Sequence, residues 1–109
     1  MLIEVVQGNI EISPELRSHI DSRLRMAFAK HGRAVRNVSI TFDATPRTPQ
    51  DTEPRCLLEV RMKHTVKVDE SGPDLFQAAE RAIAAATRSV IRAVRQEEQR
   101  QKPKVHPKF

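Results

Sequence analysis

Tryptophan and tyrosine are absent from this 109-residue chain, and four phenylalanines are its whole aromatic content. Three of them, Phe28, Phe42 and Phe76, fall on apolar faces of periodic segments, so only Phe109 is expected to be free. A surface that stacks single-stranded bases on aromatic rings is therefore not expected. The single cysteine, Cys56, excludes an internal disulfide; within an alternating apolar run it reads as a small core residue in a reducing compartment. Only three glycines occur, Gly8, Gly32 and Gly72, and their scatter excludes the phosphate-cradling loops GxxxxGKS/T and GxGxxG. No apolar run approaches the roughly 20 residues of a membrane span, and the N-terminus lacks the charged and apolar regions of a signal peptide. A cytoplasmic location without membrane contact is expected.

Catalytic and metal-binding patterns are also missing. His19, His31, His64 and His106 show neither HExxH nor paired spacing. The acids Glu4, Glu11, Glu15, Asp21, Asp43 and Glu59 are spread over different segments, and Asp69, Glu70 and Asp74 read as dipole and cap residues before a helix. No enzyme, cofactor, metal site or small-molecule substrate is expected.

What is abundant is positive charge. Nineteen Lys and Arg against fourteen Asp and Glu leave a net charge of +5, which favours a polyanionic partner. The length corresponds to one domain.

Apolar periodicity divides the chain into six elements. Leu2 to Gln7 reads as a strand. Ser13-Pro14 opens a helix with Leu16, Ile20, Leu24, Ala27 and Phe28 inward; Lys30-His31-Gly32 closes it, with Gly32 able to take the left-handed C-terminal conformation. Val35 to Asp43 alternates as a second strand, and residues 44–54 (ATPRTPQDTEP), with three prolines and no period, read as an exposed mobile loop. Arg55 to Lys63 is a third strand with Cys56, Leu58, Val60 and Met62 inward, and Thr65 to Asp69 a fourth. The last helix opens at Ser71-Gly72-Pro73-Asp74 and runs to about Gln96, burying Phe76, Ala79, Ile83, Ala86, Val90 and Val94. The order is β-α-β-β-β-α: an α+β fold with both helices on one face of a four-stranded mixed sheet, the first two strands parallel. Residues 1–96 form the domain, and 97–109 read as a disordered basic tail.

The cations have their own period. Arg81, Arg88, Arg92 and Arg95, spaced by seven, four and three, project from one side of the last helix. His19, Arg23 and Lys30 make a second stripe on the first helix, with Arg33 and Arg36 just beyond. Side by side, the two helices would offer one basic surface with a groove between them. Regularly spaced helical arginines suit the phosphates of a folded RNA, which they can grip bidentately. The RNA-facing candidates are Arg23, Lys30, Arg81, Arg88, Arg92 and Arg95, with Arg17 and Arg33 secondary. A module of the same fold binding another structured RNA or an acidic protein is the alternative reading.

Two local sequences resemble the ribosome hibernation-promoting factor and ribosome-associated inhibitor family, formerly called sigma-54 modulation proteins. IEVVQGNIEISPELRSHIDSRL is similar to the family's (I/V)TPAIR…YVEKRL stretch through Ser13, Pro14, Leu16, Arg17, Arg23 and Leu24. DLFQAAERAI is similar to DDMYAAID through Asp74, Leu75, Phe76 and Ala78. The resemblance covers roughly residues 1–96. It implies a fold like a double-stranded-RNA-binding domain, and docking on small-subunit rRNA in the channel for messenger and transfer RNA. It further implies translation inhibition in stationary phase or stress in bacteria, and a second hibernation factor as a further partner. Its basic helix positions fall on Arg23, Arg88 and Arg92. The chain departs from the family where Ala85 and Ser89 replace a common lysine and glutamine, and in a longer PRTPQDTEP segment. It resembles the family's short form.

Overall fold

The computed structural model describes residues 1–48 and 51–101, with side chains for 1–44 and 53–99. In chain order the elements are β1 (Leu2–Gln7), α1 (Pro14–Phe28), a 3-10 turn (Ala29–His31), β2 (Asn37–Thr48), β3 (Asp51–Arg61), β4 (Thr65–Ser71) and α2 (Leu75–Gln101). The sheet order is β1-β2-β3-β4. β1 lies parallel to β2, with Ile3 opposite Val38 and Val5 opposite Ile40; the other pairs are antiparallel. The α+β architecture therefore forms as the periodicity implies, including the parallel crossover.

Alternation sets the inner face. Val38, Ile40, Phe42, Cys56, Leu58 and Val60 are all buried, and the helices cover them with Ile20, Leu24 and Phe28 from α1 and Ala78, Ala79, Ala82, Ile83, Ala86 and Val90 from α2. Each large side chain so buried contributes about 1.5–3 kcal/mol from removal of apolar surface. Four alanines on α2 let that helix approach the sheet closely. Both helices are capped by their own sequence: Ser13 Oγ accepts from Leu16 N at 3.1 Å, and Asp74 Oδ1 accepts from Gln77 N at 2.8 Å.

Four expectations change. First, residues 44–54 are not a loop throughout: β2 and β3 continue past the rest of the sheet as a paired ribbon, with Ala44 opposite Pro54 and Thr48 opposite Asp51, and a register shift between Pro46 and Thr48. Prolines fit there because the neighbouring strands have ended. Pro54 O accepts from Gly72 N at 3.2 Å, and its missing N–H falls just where β4 stops. Residues 49 and 50 lie outside the described residues.

Second, Gly32 is right-handed, with φ −58° and ψ −24°. The helix ends instead through the 3-10 turn, whose His31 carbonyl accepts from both Ala34 N and Val35 N at 2.9 Å. Third, α2 continues to Gln101, beyond the expected Gln96; residues 102–109 of the expected tail lie outside the described residues. Fourth, Phe76 is 49% exposed rather than in the core.

The turn from β1 to α1 is tied to β2 by side-chain mimicry of a strand. Asn9 Oδ1 accepts from Ala44 N at 2.7 Å, and Asn9 Nδ2 donates to Ala44 O at 3.1 Å. Gly8 makes this approach possible: a Cβ there would lie 1.9 Å from Asp43 Oδ1 and 2.4 Å from Phe42 O.

Candidate nucleic-acid interface

The topology puts the basic ends of both helices together. α1 returns antiparallel to β1 and β2, and α2 returns antiparallel to β4, which itself runs parallel to β2. The two helices therefore run in the same direction, and their C-terminal ends meet the start of β2 and the β3–β4 turn. Cations at this end also offset the partial negative charge of the helix termini.

The arginine stripe is exposed along its whole length: Arg81, Arg88, Arg92 and Arg95 all lie on the outer arc of α2. Arg81 is drawn back toward the sheet, its Nη1 donating to Ser71 O at 2.9 Å. Arg88, Arg92 and Arg95 have no ion-pair partner among the described residues, so their guanidinium forks are available to an external anion.

The α1 stripe is different. Arg23 meets the Glu80 carboxylate with Nε at 3.2 Å and Nη2 at 3.0 Å, and His19 Nε2 joins the same carboxylate at 3.2 Å. Hydrogen bonding from Arg23, with a smaller part from His19, holds the Glu80 carboxyl below the usual glutamate range against a modest burial penalty. The His19 ring also stacks on Phe76, with centroids 4.9 Å apart and planes 30° apart. At Arg23 the helix–helix seam is therefore closed by a cluster in which Glu80 offsets the cation, so among the described residues the α1 stripe does not present a free basic face along the seam. Arg17 is likewise engaged: its Nη1 donates to Val5 O at 2.9 Å.

The concavity lies instead at the C-terminal end of the helix layer. An open groove of about 980 Å³ is lined by the exposed cations Lys30, Arg33, Arg36 and Lys63, with the imidazoles of His31 and His64. Its apolar lining is Met62, just past the end of β3, with Ala29 and Ala34 from the end of α1 and the segment after it, and Ala93 and Val94 from α2. Glu97 and Glu98 stand on its α2 wall, and Glu97 takes Lys63 Nζ at 2.9 Å. Of the sequence candidates, Lys30 and Arg33 belong to this groove, and Arg88, Arg92 and Arg95 to the stripe on the same helix as its wall. Arg36 and Lys63 join them only through the fold. No spacing in the sequence could announce that the β3–β4 turn sits beside the end of α1.

The rest of the molecule offers no competing chemical centre among the described residues. No group of three or more His, Cys, Asp or Glu side chains is arranged to hold a metal ion, and no helix is long and apolar enough to cross a membrane. Cys56 is fully buried, and burial with the nearby Asp69 charge pushes its thiol up to about 12, so it is not a nucleophile at neutral pH. The uncovered face of the sheet carries ion pairs, Arg55 with Asp69 and Arg61 with Glu59 at 3.9 Å.

Two solved structures share this fold. A ribosomal subunit interface protein from Coxiella burnetii superposes with a TM-score of 0.72 at 15% identity, over 85% of this chain and 97% of that one. The N-terminal domain of Protein Y from Thermus thermophilus superposes with a TM-score of 0.65 at 20% identity, over 84% of this chain and 98% of that one. No curated protein sequence matches significantly. The profile of one sequence family matches residues 3–98, nearly the whole described domain. With its element order, its paired opening strand and helix, and its basic last helix all in place, the chain belongs to the sigma 54 modulation protein / S30EA ribosomal protein family.

Proposed function

We propose that this protein is a non-catalytic, cytoplasmic ribosome-binding factor that docks its basic helix surface on small-subunit rRNA, in the channel for messenger and transfer RNA, and so inhibits translation. The observation that carries the reading is the set of exposed arginines Arg88, Arg92 and Arg95, without an ion-pair partner among the described residues, on one arc of α2, the helix whose C-terminal part shares a groove with Lys30 and Arg33. Family membership supports a ribosomal partner, and one of the two similar structures is named a ribosomal subunit interface protein. Periodic helical cations fit phosphate contacts that position a protein without reading sequence. The binding unit is residues 1–96, with the following segment as a basic extension that α2 begins. Arg81 contributes from its tethered position, and Arg23 through the edge that Glu80 leaves exposed. A second hibernation factor on the same ribosome is a compatible partner.

Co-sedimentation of the protein with purified small subunits, large subunits and whole ribosomes across a salt series tests this. Selective small-subunit binding that weakens with salt and yields to messenger plus transfer RNA supports channel docking. Equal binding to every particle, lost at moderate salt, means only a generic polycation, and no binding at low salt points to the alternative module with another RNA or an acidic protein as partner. The variant Arg88→Glu with Arg92→Glu is expected to lose co-sedimentation while keeping its thermal unfolding transition; retained binding by that folded variant overturns the proposal.

A further inference from the structure

The groove at the C-terminal end of the helix layer is not built like a bare phosphate patch. A surface that only neutralises a phosphate backbone needs cations alone. Here the lining is mixed: the cations Lys30, Arg33 and Arg36 follow or close α1, the apolar Met62 lies just past β3, and Val94 and Glu98 come from α2. The three cations are exposed and have no ion-pair partner among the described residues, and the same holds for Glu98. This set of groups matches the parts of a nucleotide. Phosphate binds arginine bidentately, a base face covers apolar or thioether surface, and a carboxylate accepts from ribose hydroxyl or exocyclic amino groups. The volume, about 980 Å³, is at the upper end of small-ligand pockets, so a single nucleotide fits with room to enter.

We propose that this groove is a nucleotide site, which holds one unpaired residue of the bound RNA with its phosphate on Lys30, Arg33 and Arg36 and its base over Met62 and Val94. The inference rests on the RNA reading for the source of the nucleotide. It adds to that reading a base-contacting site that does not depend on aromatic rings.

The test is an NMR titration of the full chain, with amide shifts followed for each of the four nucleoside 5′-diphosphates, with pyrophosphate as the phosphate-only probe. Saturable shifts at residues 29–36, 62–64 and 93–98, with a nucleoside diphosphate binding about tenfold or more tightly than pyrophosphate, are expected. Arg36→Glu should weaken both probes. Met62→Ala should weaken the nucleoside diphosphate and leave pyrophosphate unchanged, a split that loss of charge or of fold would not produce. Equal affinity for the two probes reduces the groove to an anion patch and overturns the proposal, as does the absence of shifts there. A single-stranded RNA oligomer should displace the diphosphate; one that leaves it bound overturns the assignment to RNA. Co-sedimentation is read separately, so a chain that binds small subunits but fails this titration loses the groove site alone.

Discussion

Arg23 and Glu80 face each other across the seam between α1 and α2, Nη2 to Oε2 at 3.0 Å, although 57 positions separate them in the chain. The pair turns what reads as a free cation into a brace between two helices. Its side chains are 40% and 30% exposed, so solvent screening limits its net value to about 1 kcal/mol or less. Glu80 has a folded-state pKa below its ordinary value of 4.5, so its contribution is complete above that value and is lost as pH falls through the lower, folded value. Glu80→Gln should therefore lower stability at pH 7 by about 0.5–1 kcal/mol, and the difference should shrink as the pH falls below 4.5. Urea unfolding of both proteins at pH 7 and at pH 3 checks this; a gap that is as large at pH 3 as at pH 7 would contradict it.

The two arginine classes should separate in their salt dependence. Arg92→Ala is expected to weaken small-subunit binding and to reduce the slope of log K against log salt by about one. Arg23→Ala should change that slope less, because Glu80 already engages the guanidinium, and should lower the unfolding midpoint more. Equal slope changes would show that Arg23 contacts phosphate in spite of its partner.

Close approach, not backbone conformation, separates Gly8 from Gly32. Gly8→Ala forces a methyl group against Asp43 and the Phe42 carbonyl and should cost about 1–3 kcal/mol. Gly32→Ala meets nothing nearer than Ala29 O at 3.7 Å and has a right-handed backbone, so it should be neutral or stabilising by up to about 1 kcal/mol. Chemical unfolding of the two variants gives opposite signs if this account is right.

Cys56 should be silent in the folded protein. Its thiol is buried and pushed up to about 12, so a disulfide reagent at pH 8 reacts only through opening of the sheet. Labelling should be roughly 10³-fold or more slower in buffer than in denaturant. Fast labelling of folded protein would place the thiol in a more open position than the structure does.

Much of the fold is legible in local pattern. Period-two alternation in VSITF and RCLLEVRM marks which side chains turn inward, and six of those residues lie fully in the core. The Ser13-Pro14 cap and the Asp74 cap locate the helix starts because capping needs only neighbours within three residues. The exposure of the Arg88, Arg92 and Arg95 arc follows from the same arithmetic, since a buried apolar face leaves the opposite face to solvent. Phe76 was misread by that arithmetic: it lies at the edge of the apolar face, where packing against His19 rather than the core settles its place.

Local pattern thus carries the elements, the inner and outer faces and the presence of a basic helix, because those depend on residues a few positions apart. It carries neither partner choice nor convergence. That Arg23 meets Glu80, that prolines 46 and 54 sit in a paired ribbon, and that Lys30, Arg36, Lys63 and Val94 surround one groove all depend on which strand and helix ends meet. Those meetings are fixed by burying the shared apolar face, a property of the whole chain that no short window of it contains.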